Sequence, residues 1–102
     1  MKLQILAEAE AEMESARQYL DARQPGLGDR FLRHLSSKLA VVSDRPLSFP
    51  KLETLPDEQP YRRALLHAFR YAVVFEIMDD EIVVIALVHC SRAPNYWLGR
   101  RH

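Results

Sequence analysis

At 102 residues, 48% hydrophobic and 27% charged, the chain has room for one domain with one core, residues 1–102, of ordinary soluble composition. Lys+Arg and Asp+Glu stand at 14 each, so there is no global basic field to gather nucleic acid. The single cysteine, Cys90, excludes an intramolecular disulfide, and no apolar run reaches the ~20 residues of a membrane-crossing helix.

In chain order, Lys2 to Leu6 alternates and reads as a short first strand. From Ala7 a helix begins. Glu8, Glu10, Glu12 and Glu14 crowd its start, where carboxylates favour the positive end of the helix dipole, and they read as a solvated face. Ala9, Met13, Ala16 and Leu20 follow at helical spacing, and the Met13/Tyr19/Leu20 set is assigned to the core. Pro25-Gly26 breaks this helix. A second starts near Leu27 or Gly28, carries Phe31, Leu35, Leu39 and Val42 on one stripe, and ends at Asp44-Arg45-Pro46. So short a connection makes the pair an antiparallel hairpin. Residues 46–60 hold Pro46, Pro50, Pro56 and Pro60 and read as an irregular loop.

Three strands follow: Tyr61–Ala68, Arg70–Met78 and Glu81–His89, with Asp79-Asp80 as a two-residue turn. Strict alternation puts Tyr71, Val73, Phe75 and Ile77 on one face. It likewise groups Ile82, Val84, Ala86 and Val88 against Val83, Ile85, Leu87 and His89. Both faces are then largely apolar, yet two helices cover only one. The expectation is that another polypeptide covers part of the second face, the alternative being that the Pro-rich loop and Trp97 fold back over it. The fold class is α+β, an N-terminal helical hairpin packed on one face of a small, mainly antiparallel sheet.

The charges are unevenly spread. Residues 1–60 hold 8 Lys+Arg against 10 Asp+Glu, net −2; residues 61–102 hold 6 Arg, no Lys and 4 Asp+Glu, net +2. Arginine is the residue of planar, bidentate recognition. Arg62 and Arg63 are neighbours on a strand and point to opposite faces, so one joins any given site and the other is expected to form a salt bridge to the helical layer. Metal-free RNA cleavage needs a base, phosphate-binding cations and an acid. His89 offers an imidazole, Arg92 with Arg62 or Arg63 offers the cations, and Tyr96 offers a ring to stack on a base or a proton to donate. The bland reading of the same residues is a capped strand end, an Arg92 ion pair with Glu76 or Asp29, and a Tyr96-Trp97 aromatic lid. His34, His67, His89, Cys90 and His102 form no metal spacing, and the serines lie in no nucleophile-elbow context. No glycine-rich phosphate loop exists, and neither a metal nor a cofactor is expected.

Four segments, in this order, resemble one family: Gly26-Leu27-Gly28-Asp29-Arg30-Phe31, then Arg62-Arg63, then Phe69-Arg70-Tyr71-Ala72-Val73-Val74-Phe75-Glu76, and finally His89-Cys90-Ser91-Arg92-Ala93-Pro94-Asn95-Tyr96-Trp97. The chain is similar over its whole length to the RelE/ParE superfamily of type II toxin–antitoxin toxins, and to the ParE-like, plasmid-stabilisation branch more than to RelE. Arg70 stands where that pattern has proline.

The resemblance implies a cytoplasmic, growth-inhibiting toxin in a hetero-oligomer with a cognate antitoxin, whose C-terminal segment wraps it. ParE-like members block DNA gyrase and catalyse no reaction of their own; RelE-like members cut messenger RNA in the ribosome. The first reading is therefore a binding toxin with Arg63, Arg70, Arg92, Tyr96 and Trp97 as partner-binding candidates. The alternative is a ribosome-dependent endoribonuclease using His89, Arg92 and Tyr96 with Arg62 or Arg63.

Overall fold

The computed structural model describes residues 1–92 and 95–100. Pro94 of the C-terminal motif and the end of the basic tail lie outside them. The elements run β1 (Lys2–Ile5), α1 (Ala7–Arg23), α2 (Leu27–Asp44), a 3-10 turn (Pro46–Ser48), β2 (Arg62–Leu66), β3 (Tyr71–Met78) and β4 (Glu81–His89). The four strands form one sheet in the order β1-β4-β3-β2. β1 runs parallel to β4, and the other two pairs are antiparallel.

The helical hairpin closes through local chemistry. Gly26 takes a φ of 90°, a left-handed backbone that glycine adopts without penalty. The Asp21 carboxylate accepts the N–H groups of both Gly26 (2.9 Å) and Gly28 (3.2 Å), satisfying free donors at the start of α2. At Gly28 the helices touch: a Cβ there would stand 2.7 Å from the Arg17 carbonyl oxygen. Only glycine permits that approach, which explains the two glycines of the hairpin motif.

The core forms where the helix stripes meet the sheet. Ala9, Met13, Ala16, Phe31, Leu35 and Val42 are buried as their spacing requires. Phe31 meets Phe69 and Tyr71 at ring-centroid distances of 5.6 and 5.4 Å. Tyr19 departs from its core assignment. It is 56% exposed, because its position on α1 lies beside the stripe; its hydroxyl instead accepts a bond from Arg23 (2.8 Å).

Strict alternation fails in β4. Val74 pairs with Ala86 but Phe75 pairs with Val84, so Ile85 is an extra residue, a β-bulge. The bulge resets the facing. Leu87 and His89 side with Val73 and Tyr71, whereas Ile82 and Val84 side with Ile77 and Phe75. All of these lie on the face toward the helices.

The second face is closed from within the chain. Trp97 is 3% exposed and stands edge-on to Tyr61 at 4.8 Å. With Leu52 of the Pro-rich loop it lies over Arg63, Ala72, Val74 and Val88, leaving a cavity of about 160 Å³. The expected uncovered face is thus corrected: loop and tail fold back over it. Both turns of the antiparallel strands use a non-glycine residue in the left-handed region. Asp79 at the β3–β4 turn and Arg70 at the β2–β3 turn have φ of 53° and 60°. A proline ring cannot reach that φ, so this backbone excludes at position 70 the proline that the resemblance led one to expect.

Candidate functional site

β4 is paired by β1 only as far as Val84, where the Leu6 N–H donates the last ladder bond (3.0 Å). Beyond that point the edge is open backbone, since the chain has turned away into α1. Side chains close it. The Leu87 N–H donates to Glu12 Oε1 (3.1 Å), and Arg100 Nη1 donates to the Ile85 carbonyl (3.0 Å). Arg100 also grips both carboxylate oxygens of Glu12, at 2.9 and 3.0 Å, and the Tyr96 hydroxyl donates to Oε2 at 2.6 Å. Bidentate, charge-assisted contacts of this length are the strong kind.

The electrostatics follow from the geometry. Partial burial pushes the Glu12 carboxyl up, but the bonds from Arg100, Tyr96 and the Leu87 N–H, with the Arg100 charge, outweigh it, and its pKa lies below the ordinary value. Burial, then the bond to Glu12 and its negative charge, push the Tyr96 phenol up to about 12. The hydrogen bond to Glu12 raises Arg100 as well.

Glu12, Leu87 and Tyr96 of this clasp line a cavity of about 370 Å³ between α1 and the sheet. His89, Arg92 and Tyr96 all line it, with Tyr19 and Tyr71. Three candidates from one short segment of sequence are therefore neighbours around one cavity. The Arg92 guanidinium stacks on the Tyr96 ring at 4.1 Å. It forms no ion pair with Glu76 or Asp29. His89 Nδ1 accepts the Ser91 N–H (3.1 Å) and lies 2.7 Å from the Ser91 hydroxyl, which leaves Nε2 as the donor in the neutral ring.

The remaining candidates go elsewhere. Arg63 lines the smaller cavity on the second face, where His89, Arg92 and Trp97 also reach, so Arg63, Arg92 and Trp97 share one wall. Arg62 points to the helix side and donates to the Phe49 carbonyl (2.7 Å); the expected salt bridge is replaced by a bond to backbone. Arg70 is exposed at the β2–β3 turn, away from both cavities. Cys90 is exposed. Among the described residues no cluster of His, Cys, Asp or Glu is placed to hold a metal, and no helix is long and apolar enough to cross a membrane.

Sequence reasoning missed Glu12 and Arg100. Glu12 was read with the solvated acids, yet it lies three residues after Ala9 and four before Ala16, on the buried stripe. That phase was a legible signal. Arg100 carried none, because it reaches Glu12 only after the chain has turned back.

The two-helix hairpin and the mixed four-stranded sheet form a small α+β domain consistent with the ParE/RelE-like fold. Residues 3–94 match the family model described as "ParE toxin of type II toxin-antitoxin system, parDE", and the chain belongs to that family. A solved structure titled "Chromosomal ParDE TA system from P. aeruginosa" is similar in fold, with a TM-score of 0.65 at 12% identity, covering 87% of this chain and 95% of that one. No curated protein matches the sequence.

Proposed function

We propose that this toxin acts by binding rather than by cutting: it inhibits DNA gyrase in the cytoplasm and is silenced by a cognate antitoxin whose C-terminal segment wraps it in a hetero-oligomer. The observation that carries this reading is the state of Tyr96. Its proton is committed to Glu12 at 2.6 Å and its pKa is pushed up to about 12. A general acid for RNA cleavage works best with a pKa near the working pH. A carboxylate also stands in the cavity wall where a phosphate would need a cation. Against a binding toxin nothing in the cavity is out of place: Arg92 on an aromatic platform and three tyrosine rings are common anchors of protein interfaces.

The nuclease reading keeps one observation in its favour, the meeting of His89, Arg92 and Tyr96 around one cavity. One experiment separates the two. The chain is induced in bacteria without antitoxin, messenger 5′ ends are mapped, and gyrase supercoiling is assayed with the purified protein. Growth arrest with intact message and inhibited supercoiling is expected. New cuts at codon-spaced positions, lost in His89→Gln/Tyr96→Phe, would overturn the binding reading.

A further inference from the structure

The net charge is zero, but the fold separates it. The β2–β3 and β3–β4 turns lie at opposite ends of the eight-residue β3, about 24 Å apart at strand spacing. Asp79, Asp80 and Glu81 gather at one end. At the other, Phe69 of the β2–β3 turn packs against Phe31 and His34 of α2, with the exposed His67 and Arg70 flanking Phe69 in the same turn.

On α2 at that end, Arg30, Arg33, His34 and Ser37 line a shallow cavity of about 200 Å³. Residues three and four apart share a helix face, so these four side chains point together. None carries a negative charge. All are exposed, and among the described residues neither Arg30 nor Arg33 has a carboxylate within ion-pairing distance. Arg17, by contrast, pairs with Glu14 (2.7 Å) and Arg100 with Glu12 (2.9 Å), while Arg62 and Arg92 also lack a carboxylate partner among the described residues. Asp29, one residue before Arg30 and four before Arg33, is the one acid in the first turn of this helix and offsets part of their mutual repulsion. The His34 ring is held edge-on to Phe69 at 5.2 Å, so the cavity wall is braced by the sheet.

We propose that this pole is a binding site for the phosphodiester backbone of nucleic acid, read without regard to sequence. Arg30 and Arg33 grip one or two phosphates, Ser37 and His34 donate to their oxygens, and Arg70 meets the strand as it passes the β2–β3 turn. Two guanidiniums with a hydroxyl and an imidazole N–H match the charge and oxygen count of phosphate better than those of a single carboxylate. No base-reading group is needed, because phosphate contacts position a backbone without specifying it. The site lies apart from the Glu12 clasp and is independent of the gyrase reading.

The test uses the full chain, a fluorescently labelled 20-nucleotide DNA duplex and a labelled single-stranded RNA as probes, read by anisotropy. With two phosphates neutralised, raising salt from about 50 to about 200 mM is expected to weaken binding roughly tenfold. The Arg30→Gln/Arg33→Gln double variant is expected to lose at least that factor, while Arg45→Gln, at the far end of α2, binds as the parent does. Amide shifts of residues 30–37 on titration with inorganic phosphate provide a second readout that needs no nucleic acid. Unchanged binding in the double variant would overturn the proposal. So would absence of binding to both probes, or tighter, Arg30- and Arg33-dependent binding of poly-L-glutamate, which would make the partner an acidic protein.

Discussion

The two faces of the sheet are both apolar and both closed, but by different means. The inner face is covered by two regular helices whose stripes repeat every three or four residues, with Phe31 at 0% exposure wedged against Phe69 and Tyr71. The outer face is covered by one indole, Trp97, and by irregular loop around Leu52 and Tyr61. Each cover leaves a gap: about 370 Å³ between α1 and the sheet on the inner face, and about 160 Å³ beneath the loop and tail on the outer one. The lesson is that an apolar strand face implies a cover without saying who supplies it. A few tail residues suffice when one of them is tryptophan.

The comparison can be broken hardest on the helical face. Phe31→Ala removes the ring that joins α2 to β3 and is expected to cost about 4 kcal/mol in urea unfolding. Trp97→Ala attacks the outer face. About 3 kcal/mol is expected, with new apolar surface that scattering would register as self-association. A loss for Trp97→Ala below that of an exposed-site control would mean the tail does not seal this face.

The edge between the faces comes next. Glu12→Ala strips the carboxylate from Arg100, the Tyr96 hydroxyl and the Leu87 N–H, and about 2 kcal/mol is expected, since the pair is only four-fifths buried. Hydrogen exchange at the Leu87 amide should accelerate in the same variant, while that of the Leu6 amide, bonded to Val84, stays slow.

Acid provides a milder probe of the clasp. The folded-state pKa of Glu12 lies below the ordinary 4.5, so its contribution is full above that value and fades as pH falls through the lowered one. Thermal scans should show stability dropping below about pH 4.5 more steeply in the parent than in Glu12→Gln. Glu14, held at about 2 by the hydrogen bond from Arg17, acts in the same direction in both proteins and cancels in the difference. The smallest effect concerns independence. Phe31 and Trp97 lie on opposite faces and share no partner, so their losses are expected to add within about 0.5 kcal/mol in the double variant. A larger deviation would show that the two covers are coupled through the sheet.

Much of this was legible in one dimension. Helix stripes, the Pro25-Gly26 break, the Asp79-Asp80 turn and the four strands follow from periods of 3.6 and 2 and from turn chemistry, which act between near neighbours. The paired glycines marked a hairpin whose close contact at Gly28 the structure then displayed. The candidate His89, Arg92 and Tyr96 were recognisable by residue type and by their resemblance to the ParE pattern.

What the tertiary structure alone decided concerns contacts between distant residues. A single extra residue at Ile85 swapped the facing of half of β4, and no local rule marks where a bulge falls. Trp97 came back over Ala72 and Val74, and Arg100 crossed 88 residues of sequence to hold Glu12. The neutral composition concealed a basic pole, because charge balance is a sum while an electrostatic field depends on position. Short-range periodicity writes the elements into the sequence. Which edge is left open, what closes it and where unpaired charge collects are set only when the elements pack.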